Sequence, residues 1–141
     1  EQEGSQESLS SSMWNKLDFN DILTTGEKRR NIYLKYELYS REGFVSSGTV
    51  LFDKPKYFEF KNPNLSFDIK EDEDKFSIIV KAEAFAKYVE VSLKDIDSKF
   101  SINYFDIIPG ETVVVDIEKE WLSRAVIAEE LKENISLRSI Y

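Results

Sequence analysis

Alternation with a period of two runs through this chain in short, evenly spaced blocks, and that pattern leaves few architectures open. Ile32, Leu34, Tyr36 and Leu38 fall on one side of an extended segment, with Tyr33, Lys35, Glu37 and Tyr39 on the other. An Arg41-Glu42-Gly43 turn follows, and Ser46 to Phe52 reads as a strand returning antiparallel to the first. The pattern restarts with Leu65, Phe67 and Ile69 inward and Ser66, Asp68 and Lys70 outward. It recurs at Phe76, Ile78, Val80 and Ala82, at Val89, Val91 and Leu93, at Val113, Val115 and Ile117, and in the tail at Ile135 and Leu137. Short strands at intervals of ~8–12 residues, joined by polar turns, describe an all-β antiparallel sandwich. A further short strand is expected at Trp14, Leu17 and Phe19.

Two segments depart from the alternation. Residues 1–12 are polar and low in complexity, and read as a disordered lead-in. Glu118 to Lys132 holds strong helix formers, with Trp121, Leu122, Ala125, Val126 and Leu131 as its apolar positions, so one short helix capping an end of the sandwich is expected near residues 118–132. Pro55 and Pro63 bracket an aromatic cluster of Tyr57, Phe58 and Phe60, and a boundary is placed at residues 61–64. Residues 13–61 then read as the C-terminal part of one β-sandwich and residues 62–141 as a complete second one.

Composition limits the chemistry. At 141 residues the chain is too short for a (β/α)8 barrel of ~250 residues. It has no histidine and no cysteine, which removes imidazole bases, thiolate nucleophiles, disulfides and most transition-metal sites. A net charge of −8 without a basic stripe argues against nucleic acid and anionic membranes as partners. No apolar run approaches a membrane span, and the start of this chain does not read as a signal peptide; the compartment is open, with the lack of cysteine favouring a cytoplasmic one. The run Glu71-Asp72-Glu73-Asp74 has acids enough for Ca2+, but consecutive side chains diverge and no Gly-centred ligand loop is present, so it reads as a solvated turn.

The most distinctive stretch is Lys99 to Glu111, KFSINYFDIIPGE. Pro109 presets φ for the first central position of a type II turn and Gly110 supplies the positive φ at the second. Phe100, Tyr104 and Phe105 precede that turn, where a buried Tyr hydroxyl is expected to bond back to nearby backbone, as in a tyrosine corner. The segment resembles the F-S-D-N-Y-F-D-L-L-P-G-E pattern of the C-terminal immunoglobulin-like domain of β-mannosidases in glycoside hydrolase family 2. Phe100, Ser101, Asn103, Tyr104, Phe105, Asp106, Pro109, Gly110 and Glu111 carry the match. Ala86 to Leu93 and Leu137 to Tyr141 resemble flanking strands of that domain, and Tyr33 to Ser40 with Leu51 to Phe58 resemble the end of the sandwich before it. Ile102 departs from the pattern, which has a polar residue there, and weakens any cation or sugar role for this turn.

The resemblance implies an immunoglobulin-like sandwich preceded by a partial β-sandwich, in a non-catalytic accessory region. The family's two catalytic glutamates lie in a central barrel, where they hydrolyse terminal β-mannosides with retention. No Glu here inherits that role, and no catalytic, metal or cofactor site is expected. The expected partners are upstream domains of the same polypeptide. A glycan-binding or adhesion-type module is the alternative, with Tyr57, Phe58, Phe60, Trp14 or Trp121 as sugar platforms. Burial of those rings at the join favours the accessory reading, and exposed coplanar rings favour the glycan one. An interrupted sandwich leaves apolar edges open, so the isolated chain is expected to dimerise or exchange strands.

Overall fold

The computed structural model describes residues 3–13 and 15–141. Among the described residues, eight strands form three antiparallel sheets. A hairpin pairs β1 (Tyr33–Ser40) with β2 (Gly43–Leu51). One three-stranded sheet has the order β3 (Ser66–Glu71), β4 (Lys75–Lys81), β7 (Thr112–Glu118). The other has the order β6 (Phe105–Ile107), β5 (Ala86–Leu93), β8 (Ile135–Ile140). The two three-stranded sheets pack face to face as the expected immunoglobulin-like sandwich, and the hairpin lies against one end of it.

The alternation explains the core. Phe76, Ile78 and Val80 of β4 and Val115 and Ile117 of β7 are fully buried, and they face Ala86, Val89 and Val91 of β5 and Phe105 and Ile107 of β6. Each of these Val, Ile and Phe side chains contributes roughly 1.5–3 kcal/mol on leaving water. Leu65, Phe67, Ile69, Leu93, Val113 and Leu137 are half-buried and pack on this cluster. The charged turn between β3 and β4 is a tight hairpin closed by the Asp72 amide donating to the Lys75 carbonyl at 2.9 Å.

Three local expectations are corrected. Trp14 lies outside the described residues, and Leu17 and Phe19 form no strand. Instead the Asp18 carboxylate accepts from the Asn20 amide at 2.8 Å, and the Ile22 and Leu23 amides both donate to the Phe19 carbonyl, which turns the chain. It leads into a short helix that the sequence reading passed over, α1 (Gly26–Asn31), capped by the Thr25 hydroxyl on the Lys28 amide. The helix expected near residues 118–132 is confined to α2 (Ala128–Asn134), with a single 3-10 turn at Lys119–Trp121 before it. Residues 122–127 stay irregular because Ser123 exchanges two bonds with Asp97, its amide donating to the Asp97 carbonyl and its hydroxyl accepting from the Asp97 amide. Leu131 is fully buried beneath α2, so its role as a cap on the core stands.

Candidate functional site

Residues Lys99 to Glu111 perform two structural tasks, and the first is to carry the chain from one sheet to the other. The Ser101 amide donates to the Asp116 carbonyl of β7 at 2.9 Å, and the Ser101 hydroxyl accepts from the Asp116 amide at 2.8 Å. Two residues later, Asn103 turns to β5: its side-chain carbonyl accepts from the Val91 amide at 2.8 Å and its amide donates to the Val91 carbonyl at 2.9 Å. A side-chain amide thus imitates a strand's backbone and satisfies a pair of buried ladder groups. Phe105 is buried and Phe100 half-buried on the core. Tyr104 stands at φ +58°, is 63% exposed, and donates its hydroxyl to Glu90 at 3.1 Å. It is therefore no tyrosine corner: the left-handed backbone, set by the Tyr104 amide bonding to Asn103, turns the ring outward.

The second task is to hold the hairpin. Asp106 accepts from the Tyr88 amide at 3.0 Å and from the Lys87 ammonium at 2.9 Å, and the hydroxyl of Thr49 on β2 donates to the same carboxylate. Lys87, only 6% exposed, also reaches Thr49 at 3.0 Å. Lys87 and Tyr88 form a bulge in β5, where the pairing with β6 and β8 slips and Tyr88 adopts φ +53°. The bulge is what points a lysine inward. Sequence reasoning missed Lys87, although the apolar phase shifts from an even position at Ala86 to odd positions at Val89, Val91 and Leu93, which is the signature of one inserted residue.

Around the Pro109-Gly110 turn the expected geometry is present: the Glu111 amide donates to the Ile108 carbonyl at 3.1 Å, and Gly110 has φ +85°. The turn delivers Glu111 to Lys35 of β1, which also pairs with Glu37 at 2.6 Å. Bonding to Glu111, then to Glu37, raises the Lys35 pKa and keeps it a cation, while Lys35 holds the Glu37 carboxyl below its usual range. The neighbouring Tyr33 hydroxyl is pushed up by burial and then by the Glu111 charge.

An aromatic stack completes the seam. Phe85, 7% exposed, lies against Tyr33 of β1 with ring centroids 4.0 Å apart, and against Phe58 and Phe60 at 6.0 Å each. Of the five rings considered as sugar platforms, Phe58 and Phe60 are thus packed at the join. Tyr57 is exposed, beneath Lys56 at 4.7 Å and Arg30 at 5.8 Å. Trp121 is half-buried.

Between β2 and the 105–114 segment runs an open groove of about 800 Å³, lined by Phe44 to Thr49 on one wall and by Ile102, Asp106, Glu111 and Val114 on the other. Its carboxylates at Glu37, Asp106 and Glu111 are each engaged with a lysine. Among the described residues, no group of three or more Asp or Glu is placed to hold a metal ion.

Comparison with known proteins agrees with this geometry. Residues 60–141 match the mannosidase Ig-fold domain family, and residues 2–57 match the mannosidase Ig/CBM-like domain. No curated protein matches. Among solved structures, the crystal structure of β-D-mannosidase from Dictyoglomus thermophilum superposes with a TM-score of 0.61 over 76% of this chain at 15% identity, a likeness of fold. This chain spans 13% of that enzyme's length. With more than half of its residues matched and the sandwich formed, the chain belongs to the mannosidase Ig-fold domain family.

Proposed function

We propose that this chain is a non-catalytic accessory part of a β-mannosidase-like glycoside hydrolase and that its work is architectural. In this reading residues 62–141 are the C-terminal immunoglobulin-like domain, and residues 13–61 are the last part of the sandwich domain before it. The parent enzyme removes terminal β-mannosides with retention, using two carboxylates in a domain outside this chain. The upstream domains of the same polypeptide are its partners.

The observation that carries the proposal is the seam. The residues with the best claim to ligand chemistry, Asp106, Glu111, Lys35, Lys87, Phe58 and Phe60, contact one another or their neighbours across the join. A glycan platform needs exposed rings in one plane, whereas Phe58 and Phe60 are half-buried and tilted 52° from one another. Calorimetric titration of the chain with manno-oligosaccharides tests the choice. No binding heat at millimolar sugar is expected, and saturable binding at millimolar affinity or tighter would overturn the architectural reading.

A further inference from the structure

Small-molecule cavities are mostly apolar, with a few polar groups that decide what they accept. One cavity of about 380 Å³ has that character, where Asn31 and Tyr33 meet residues 58–61 and 83–85. Tyr33, Phe58, Phe60 and Phe85 line it with aromatic carbon; Phe85 is buried, and the other three rings are half-buried, so part of each still meets solvent. Glu59 and Glu83 line it as well. Each is held by a neutral partner: the Asn31 side-chain amide donates to Glu59 at 3.1 Å and the Asn64 side-chain amide to Glu83 at 2.7 Å. Among the described residues neither has a lysine or arginine partner, whereas Glu37, Asp106 and Glu111 in the groove are all taken by lysines. Lys61 shares the lining and pairs with neither glutamate, so the cavity sets two carboxylates against one ammonium.

We propose that this cavity is a binding site for a guanidinium group. Aromatic rings attract a cation through the negative potential of their faces, and a carboxylate oxygen without a donor accepts a charge-assisted N–H bond. Guanidinium answers both in one plane, because it is flat, weakly hydrated and carries its N–H donors in a fork, whereas an ammonium is compact and strongly hydrated. A neutral sugar leaves the charge unanswered, and among the described residues no third acid joins the two glutamates to hold a metal ion. The asparagine bonds restrict both carboxylates beforehand, which lowers the entropy lost on binding. Two sources present this group: an arginine on a polypeptide and a small guanidine in solution.

Backbone amide NMR shifts, followed while N-acetyl-arginine N-methylamide is added to about 50 mM, read the proposal, since one side chain is expected to bind with a Kd of ~1–10 mM. The expected result is saturable shifts confined to amides of residues 31–33, 58–61 and 83–85, and none with the citrulline analogue, which has the same shape without the charge. Glu83→Gln and, separately, Phe60→Leu should each weaken binding at least ~5-fold. Glu73→Gln, in the exposed turn between β3 and β4, removes the same charge elsewhere and should leave the affinity unchanged. Amide spectra that match the parent chain away from the cavity establish that the variants fold. Free arginine binding no tighter than the capped form assigns the site to polypeptide arginine, and free arginine binding at least ~10-fold tighter assigns it to the small molecule. The absence of saturable shifts would overturn the proposal, as would equal binding of the citrulline analogue. So would a loss in Glu73→Gln equal to that in Glu83→Gln, which would reduce the binding to attraction by the net charge.

Discussion

Replacing Asp106 by Asn removes one charge and almost no volume, and the structure says what that should cost. The carboxylate accepts three bonds, from the Tyr88 amide, the Lys87 ammonium and the Thr49 hydroxyl. An Asn carbonyl can keep the Tyr88 bond, but its NH2 then faces an ammonium group whose side chain is 8% exposed. A charge-assisted bond contributes ~1.5–3 kcal/mol, and an unpaired buried charge raises the loss to roughly 3–5 kcal/mol. With an m-value of ~2 kcal/mol/M, a loss of ~3 kcal/mol lowers the urea midpoint by about 1.5 M. Urea titrations followed by tryptophan fluorescence and far-UV circular dichroism measure this, and the two probes should coincide. Lys87→Met completes a double-mutant cycle. Once the lysine is gone the Asn no longer strands a charge, so the double variant should be more stable than additivity predicts by at least ~1.5 kcal/mol. A loss below ~0.5 kcal/mol for Asp106→Asn, together with additivity within ~0.5 kcal/mol, would refute the hub.

Three further outcomes follow from the same contacts. Phe85→Ala should cost ~3–5 kcal/mol by chemical denaturation, because it empties a site enclosed by Tyr33, Phe58 and Phe60. Asn103→Ala should cost ~2 kcal/mol by stranding the Val91 amide and carbonyl, whereas Tyr104→Phe should stay within ~0.5 kcal/mol because that hydroxyl is exposed; equal costs would contradict the outward placement of Tyr104. The Asp116 carboxyl is held below its usual range by bonding to Lys75 and then to Ser77, so its stabilisation is complete above its unfolded pKa of ~3.9 and is lost as pH falls from there towards the folded value. Lys75→Met should therefore flatten the acid limb of the stability–pH curve, and an unchanged limb would show that the pair contributes nothing.

The strands of the sandwich were legible because each buries one face, so alternation and burial are the same information: Phe76, Ile78, Val80, Val115 and Ile117 are where the period of two placed them. The Pro109-Gly110 turn was legible because its backbone demands those residue types. The hub at Asp106 was not. Its partners lie 19 and 57 residues away, and only the bulge in β5 turns Lys87 towards them. Local chemistry also misled. Tyr104 has the neighbours of a buried corner, but one residue in the left-handed region reverses its direction. Glu118 to Lys132 has helical composition throughout, yet two bonds from Ser123 to Asp97 outweigh propensity over its middle. Such contacts depend on which distant segment arrives, and no window along the chain contains them.

The central claim is that the seam makes the hairpin and the sandwich one body. Native-state hydrogen exchange tests it most directly, by comparing the hairpin amides at the seam end, Tyr33–Lys35 and Thr49–Leu51, with core amides of β4 and β5. Opening free energies within ~1 kcal/mol of the core, falling together with it in Asp106→Asn, are the expected result. Hairpin amides that exchange through an opening several kcal/mol below the core, and that ignore Asp106→Asn, would contradict it.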